Sequence, residues 1–209
     1  MIIHQIFYDF SGKNEPMPQL YKTLQEKVKK FSKRNNYTYK FWNKSMIDKL
    51  INKYARYKPL LNNVRYEIMR VDMVKFLILY DSGGLYLDMD IQPKLNKLKD
   101  YDLAFASTGK KFNVDVIQSK KGNPLLLSYL DYVKEQINEK SKIDIYWERK
   151  FRFVLHTTGP NALTRWIKKE KINPNTYRVN DATTNPPQLN LIGNEDFQDY
   201  PSGYWAKNL

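Results

Sequence analysis

Two aspartates at the end of an apolar run are the residues whose types and spacing best suit chemistry. Asp88-Met89-Asp90 follows Leu85-Tyr86-Leu87, which is typical of a buried strand. A continuing strand, with its period of two, would place both carboxylates on one side, where two like charges need a cation or solvent. Hard cations such as Mg²⁺ and Mn²⁺ take oxygen ligands, often one or two carboxylates together with substrate phosphates and water. The pair therefore indicates a metal site for a nucleotide diphosphate.

A mostly buried helix precedes this strand and carries further candidate residues. Apolar residues cover nearly every face from Tyr66 to Tyr80, so the few polar side chains need an explanation. Arg70 and Asp72 lie two residues apart and do not face each other on a helix, which favours separate partners over a simple ion pair. Asp81-Ser82-Gly83-Gly84 then predicts a left-handed cap and a turn.

Strand and helix patterns alternate along the whole chain, which favours an α/β layer architecture with a mostly parallel or mixed sheet. Strands are predicted at Ile2–Phe7, Tyr37–Phe41, Leu85–Leu87, Leu103–Ala106 and Asn113–Gln118. Helices are predicted over Leu20–Phe31, Tyr66–Tyr80 and Pro124–Ile137. Two more are predicted from their starts, one capped by Ser45 and one beginning at Pro160.

The segment from Arg70 to Pro93 resembles the DXD-containing glycosyltransferases of family 32, the capsular polysaccharide and Och1-like mannosyltransferase type, and more distantly the clostridial glucosylating toxins. The shared pattern is Arg-x-Asp, an apolar helix, Leu-Tyr, and Gly-Gly-x-Tyr-x-Asp-x-Asp. Weaker likeness extends to Ile2-Ile3-His4-Gln5-Ile6-Phe7, Asn113, Lys121-Gly122-Asn123-Pro124 and Thr158-Gly159-Pro160. The resemblance implies a GT-A fold, a Rossmann-like α/β/α sandwich, in a single domain over residues 1–209.

The resemblance also implies residue roles. Asp90 would bind Mn²⁺ (or Mg²⁺) directly, and Asp88 would touch the donor ribose or reach the metal through water. Asp72 would accept hydrogen bonds from donor-sugar hydroxyls, and Lys75, one helical turn later, joins Asp72 and Asp90 as an expected catalytic residue. The donor site would comprise Phe7, Arg70, Asp72, Asp88, Asn113 and Trp205.

Three positions depart from the family pattern. Lys75 replaces the usual arginine, and an ammonium cannot reproduce the bidentate guanidinium fork, which affects donor-sugar preference. Phe7 replaces a tryptophan and keeps the stacking area while losing the indole donor. Near the end of the chain, Trp205 lacks the accompanying serine and histidine, so either the C-terminal closure differs or the chain is truncated.

The implied reaction is transfer of a sugar from a nucleotide-diphosphate sugar, with a UDP-sugar as the first expectation, to a glycan or lipid-linked acceptor. The resemblance implies retention of anomeric configuration and metal dependence. It also implies that Asp72 acts as a binding residue and not as a glycosidase-type nucleophile.

A formal charge of +13 raises an alternative of another class. Residues 22–58 hold 12 of the 35 Lys and Arg residues but only two acids, so most of the excess charge lies in one segment. This segment either forms a solvated face or meets an anionic acceptor or membrane surface. The alternative function is a catalytically inactive basic binding protein for anionic glycan or nucleic acid. No nucleic-acid recognition motif is visible, so we expect no nucleic-acid partner.

Other features exclude several classes. The chain has no cysteine, which removes thiol nucleophiles, thiolate zinc sites and disulfides. No apolar run approaches the length of a membrane span, and the first residues predict a strand in place of a signal peptide. We therefore expect a cytoplasmic protein, with peripheral membrane contact as one alternative. His4 is expected to be a core histidine, while His156 could cap a helix or reach the acceptor or leaving phosphate.

Overall fold

The computed structural model describes residues 1–8, 15–108, 111–140, 150–181 and 196–200. The strands are β1 (Ile2–Ile6), β2 (Thr38–Trp42), β3 (Gly84–Leu87), β4 (Ile91–Pro93), β5 (Leu103–Thr108), β6 (Lys111–Ser119), β7 (Asn175–Asp181) and β8 (Phe197–Asp199). The helices are α1 (Gln19–Arg34), α2 (Lys44–Lys53), α3 (Lys58–Asn62), α4 (Glu67–Ser82), α5 (Pro124–Lys140), α6 (Lys150–Thr157) and α7 (Pro160–Lys169), with a 3₁₀ turn at Ala55–Tyr57.

The strands form a mixed sheet in the order β2-β1-β3-β6-β5-β7-β8-β4. β1 runs parallel to β2 and β3, and β7 runs parallel to β5 and β8. β6 is antiparallel to β3 and β5, and β4 is antiparallel to β8. The mixed α/β sheet predicted from the alternating pattern is confirmed, although β4, β7 and β8 were not among the predicted strands.

The sheet separates two layers of buried apolar side chains. On one face, helices α4, α5 and α7 contribute Phe76, Tyr129 and Trp166 to the larger core. On the other face, α1 contributes Val28 and Phe31 to a core shared with β3, β6, β7 and β8. Helices therefore cover both faces of the sheet, as the GT-A sandwich requires.

Helix α4 is the central buried element, because all its residues from Val71 to Leu79 are buried. Two glycines end it: Gly83 has φ +63° and Gly84 has φ +112°. A Cβ on Gly84 would lie 2.3 Å from the carbonyl oxygen of Ile2. The glycines thus let β3 turn back and pair closely with β1, which places the end of β3 beside the end of β1.

The predicted start of α2 is wrong. The Asn43 side chain, and not Ser45, caps this helix by accepting a hydrogen bond from the Met46 backbone N–H at 3.0 Å. Asn43 has extended backbone geometry directly before the first helical residue, Lys44, and this is the geometry of an N-cap. Ser45 is already inside the helix.

Candidate functional site

The aspartate pair lies on a turn between β3 and β4. The Ile91 N–H donates to the Asp88 carbonyl at 3.2 Å, which closes the turn, and Met89 is buried between the two partly exposed aspartates. The expectation that both carboxylates continue a strand is therefore wrong. Both still interact with one further carboxyl, that of Asp115 on β6: burial is the main cause of its raised pKa, and the charges of Asp88 and Asp90 add to it.

Polar residues of β1 hold this turn and the glycine turn before it. The Gln5 amide donates to the Asp88 carbonyl at 3.2 Å and its oxygen accepts from Tyr39 at 3.0 Å. His4 bonds the Gly83 carbonyl through Nε2 at 2.9 Å, and its Nδ1 accepts from the Trp42 indole at 3.1 Å. Both ring nitrogens of His4 are thus used within the protein.

His4 therefore has a structural role. Because Trp42 Nε1 can only donate, Nδ1 of His4 must be the acceptor and Nε2 must carry the proton. Burial lowers the pKa of His4 to about 4, so the ring stays neutral at physiological pH. The expected core histidine is confirmed.

Lys75 on α4 connects two of the candidate carboxylates. Its side chain is only 2% exposed, and its Nζ lies 3.2 Å from Asp72 Oδ1 and 3.0 Å from Asp88 Oδ1. The hydroxyl of Tyr86, two residues before Asp88 on β3, donates to Asp88 at 2.7 Å. Although burial lowers the pKa of Lys75, Asp88 and Asp72 raise it more, and the net shift is upward. Lys75 is thus a fixed buried cation between the two carboxylates.

Asp72 is held from a second direction. Its Oδ2 accepts a hydrogen bond from the Thr158 hydroxyl at 2.9 Å, and Thr158 lies between α6 and α7. Burial raises the pKa of Asp72 to about 6, against the opposing effect of Lys75. Asp72 is therefore ionised at pH 7 but close to its titration range.

Asp115 is a residue of this site that sequence reasoning missed. Its backbone carbonyl accepts from the Asp88 N–H at 2.9 Å, and its carboxylate accepts from the Asn113 amide. Burial raises the pKa of Asp115 well above its usual range, and Asp88 and Asp199 raise it further. The available signal was an aspartate within the apolar strand Val114-Asp115-Val116.

The turn also has a partner from the far end of the described chain. The Tyr200 N–H donates to the Asp90 carbonyl at 2.9 Å, directly after β8 pairs with β4. The Tyr200 hydroxyl lies 3.2 Å from Gln92 Oε1 and 3.1 Å from Gln198 Oε1. Segment 196–200 therefore supports the aspartate turn in addition to the support from β1.

The structure brings together Asp72, Lys75, Asp88 and Asn113 with Asp115, but gives other candidates different surroundings. The Arg70 guanidinium donates to the Leu61 carbonyl at 2.9 Å and lies 3.5 Å from Glu67. Phe7 packs edge-on against Tyr21, with ring centroids 5.9 Å apart. Trp205 lies outside the described residues.

His156 packs at the junction of α6 and α7. Its Nδ1 lies 2.9 Å from Arg165 Nη1 and its Nε2 lies 3.2 Å from the Asn161 amide. Arg165 also donates to the His156 carbonyl. These contacts give His156 a structural role in joining the two helices.

The basic face of α1 adjoins the aspartate turn through Lys27. Its Nζ donates to Gln92 Oε1 on β4 at 2.9 Å and lies 5.9 Å from the Tyr200 ring centroid. Beside it, a shallow concavity of about 360 Å³ is lined by Gln19, Lys22, Thr23, Glu26, Lys27 and Lys30. The positive charge of residues 22–58 thus reaches the edge of the candidate site.

The side chains of the candidate site can be compared with those that a divalent metal ion requires. Nowhere in the described ranges do three or more His, Cys, Asp or Glu side chains form a group that could hold an ion. Asp88 and Asp90 still offer two carboxylates on one turn, which suits a Mg²⁺-type ion that completes its coordination with phosphates and water.

Among the described helices, none is long and apolar enough to cross a membrane.

Comparison with known proteins agrees with this geometry. The family profile described as "Glycosyltransferase sugar-binding region containing DXD motif" matches residues 18–104. Mannosyl phosphorylinositol ceramide synthase SUR1 of Saccharomyces cerevisiae is 28% identical over 175 residues, which cover 81% of this chain and 42% of that protein. The chain spans less than half the length of the curated relatives it matches.

Solved structures support the fold. The PaToxG glycosyltransferase aligns with a TM-score of 0.57 at 16% identity, covering 81% of this chain and 68% of that one. A glycosyltransferase involved in glycosylation of the major capsid of PBCV-1 aligns with a TM-score of 0.50 at 11% identity, covering 99% and 96%. The chain is therefore similar to the DXD-containing glycosyltransferases over residues 18–104, and it shares the GT-A fold of the solved glycosyltransferases.

Proposed function

We propose that this protein is a metal-dependent glycosyltransferase that moves a hexose from a nucleotide-diphosphate sugar to a hydroxyl acceptor. The observation that carries the proposal is Lys75, a buried cation held between Asp72 and Asp88. Keeping three charged groups in or near an apolar core is unfavourable unless they serve a site. An inactive binding protein that used only its basic face would have no need for this arrangement.

The proposed reaction breaks the bond between the anomeric carbon and the diphosphate oxygen and forms a bond to the acceptor oxygen. When bound, a divalent ion held by Asp90 and Asp88 would stabilise negative charge on the leaving diphosphate. Lys75 would add a fixed positive charge that needs no reorganisation. Asp72 would accept hydrogen bonds from the sugar hydroxyls and orient the ring.

We propose retention of anomeric configuration, with the acceptor hydroxyl attacking from the face that the diphosphate leaves. No protein nucleophile is needed, since the acceptor proton can pass to the departing phosphate oxygen. Asp72 already has two protein partners, Lys75 and Thr158, which suits a fixed binding group better than a nucleophile.

The donor test is hydrolysis of a panel of sugar nucleotides with Mn²⁺, with Mg²⁺ and with chelator. A UDP-sugar is the first expectation, and a mannosyl donor is the alternative that the name of the yeast relative supports, so the panel includes GDP-mannose. Asp90→Asn should abolish turnover. Asp100→Asn, which changes an exposed carboxylate between β4 and β5, is the matched control and should leave turnover unchanged. No turnover of any donor, with no metal-dependent nucleotide binding, would support the inactive binding protein instead.

For the acceptor, we propose an anionic glycan or lipid that approaches along α1, together with peripheral contact between residues 22–58 and an anionic membrane. The support is charge complementarity: Lys22, Lys27 and Lys30 line the concavity that reaches β4. Each lysine near an anionic surface contributes about 1 kcal/mol, so three predict roughly a hundredfold effect on binding at low salt.

The acceptor test is binding to vesicles with and without anionic lipid. Reversing Lys27, Lys30 and Lys33 to glutamate should remove binding to the anionic vesicles, and added salt should weaken wild-type binding. The control reverses three exposed lysines elsewhere, Lys134, Lys168 and Lys171. Equal binding by both triple variants would contradict a role for α1.

A further inference from the structure

We propose that Thr158 is a positioning residue that fixes the carboxylate of Asp72 for the donor sugar, and that this is the function of the Thr158-Gly159-Pro160 turn. The inference deepens the proposed function and rests on it. Thr158 and Asp72 are 86 residues apart in sequence, both are buried, and the bond between them joins α4 to the turn before α7.

The hydroxyl of Thr158 has one proton and two nearby acceptors. It lies 2.9 Å from Asp72 Oδ2 and 3.5 Å from the Val154 carbonyl. The shorter contact to a charged acceptor is the stronger bond, so the proton points at Asp72. The carbonyl of Val154 is already bonded by the backbone N–H groups of Thr158 and Gly159, at 3.1 and 3.0 Å.

The contacts of Thr158, Gly159 and Pro160 each help to fix the position of the Thr158 hydroxyl. Tyr129 donates to the Thr158 carbonyl at 2.7 Å and so ties the turn to α5. At Gly159 a Cβ would lie 3.1 Å from the Cα of Leu155, so glycine lets the chain pass close to α6. Pro160 begins α7 without an N–H to satisfy.

The two oxygens of the Asp72 carboxylate accept hydrogen bonds from donors on different structural elements. Lys75 holds Oδ1 from the same helix at 3.2 Å, and Thr158 holds Oδ2 from across the core. Lys75 alone would leave the carboxylate free to rotate about its last bond, whereas both donors fix its plane. Each carboxylate oxygen accepts about two hydrogen bonds, so acceptor capacity remains for sugar hydroxyls in a fixed direction.

The neighbouring threonine provides a matched control. Thr157 is equally buried, but its hydroxyl donates to the Phe153 carbonyl of its own helix at 2.7 Å. Thr157→Val and Thr158→Val therefore remove the same atom from adjacent buried positions, and only the second change touches Asp72. Thr158→Ser keeps the hydroxyl and tests rescue.

The experiment measures donor turnover and binding of the nucleoside diphosphate without its sugar. Thr158→Val should lower kcat/KM about ten- to hundredfold, which corresponds to loss of a hydrogen bond to a charged group. Thr157→Val should stay near wild type, and Thr158→Ser should recover most of the loss. Affinity for the nucleoside diphosphate alone should stay within about twofold in all variants, because Asp72 would contact only the sugar.

Three results would overturn the inference: equal turnover by the two valine variants, no rescue by serine, or an equal loss of nucleoside diphosphate binding. Failure of the proposed function gives a different result. If wild type turns over no donor, the unfolding free energies of Thr158→Val, Asp72→Asn and the double variant still report whether the two side chains are coupled. Coupling without turnover would overturn the transferase proposal and with it the positioning role.

Discussion

Replacing Lys75 with methionine would remove the cation that two carboxylates share. The side chains of Lys75 and Asp72 are only 2% and 6% exposed, so the remaining Asp72 charge would be buried without a counterion. Breaking such a pair by removing one partner destabilises a protein by about 3–5 kcal/mol. With about 2–4 °C per kcal/mol for a chain of this size, Lys75→Met should lower Tm by about 6–20 °C.

The pH dependence gives this prediction a sign. Folding raises the pKa of Asp72 from 3.8 to about 6, mainly through burial. The protonated carboxyl therefore favours the native state at low pH. Its contribution to the free energy of unfolding is lost as the pH rises through about 6. Without Lys75 the folded pKa rises further. The variant should therefore keep losing stability between pH 6 and 8, where this group no longer affects wild type.

The assay is urea unfolding of Lys75→Met, Asp72→Asn and the double variant between pH 5 and 8. The double variant should regain much of the loss, because asparagine has no charge to pair. Lys53→Met is the control: Lys53 pairs with Asp81 but its side chain is 63% exposed, so we expect a change below about 1 kcal/mol. A Lys75→Met protein as stable as the Lys53→Met protein, without the extended pH slope, would refute the buried ion pair.

Three further predictions concern the same region. Gly84→Ala should destabilise the protein by several kcal/mol in thermal unfolding, because its Cβ would lie 2.3 Å from the Ile2 carbonyl at a φ of +112°; a loss below about 1 kcal/mol would contradict this geometry. Trp42→Phe should cost about 1–3 kcal/mol, since it leaves the buried Nδ1 of His4 without a donor, and an unchanged Tm would argue against that bond. In wild type, kcat/KM for donor hydrolysis should fall about tenfold per pH unit below about pH 6 as Asp72 becomes protonated, whereas a flat profile from pH 5 to 8 would show that its ionised form is not required.

Periodicity predicted the elements that bury a continuous apolar face. Helix α4 and strand β3 are the clearest cases, because their apolar residues leave few other arrangements and two glycines separate them. Strands β4 and β8 have only three residues each, and they exist because each pairs with the other across the chain. A pattern within one short segment cannot contain that information.

The candidate site shows the same contrast between what a local pattern predicts and what depends on distant contacts. Asp88 and Asp90 were predicted as candidates from their types and spacing, and Asp72 from its place on a mostly buried helix and from the family resemblance. The direct link between Asp72 and Asp88 through Lys75 was not predicted. Thr158 was noted only as part of the Thr158-Gly159-Pro160 likeness, since its bond to Asp72 depends on how α6 and α7 pack against α4. Residue types identify candidate groups, whereas their partners depend on tertiary packing.

The support of the aspartate turn by segment 196–200 has a consequence for the order of folding. Tyr200 contacts Gln92 across a separation of 108 residues and also bonds the Asp90 carbonyl. Contacts this distant form slowly, because a long stretch of chain must close before they stabilise anything. On the ribosome, β4 emerges well before β8. The aspartate turn therefore lacks its contacts with β8 and Tyr200 during the period in which β1, β2 and β3 can already pair. We therefore expect the nascent chain to acquire its donor site last, after the sheet that carries it.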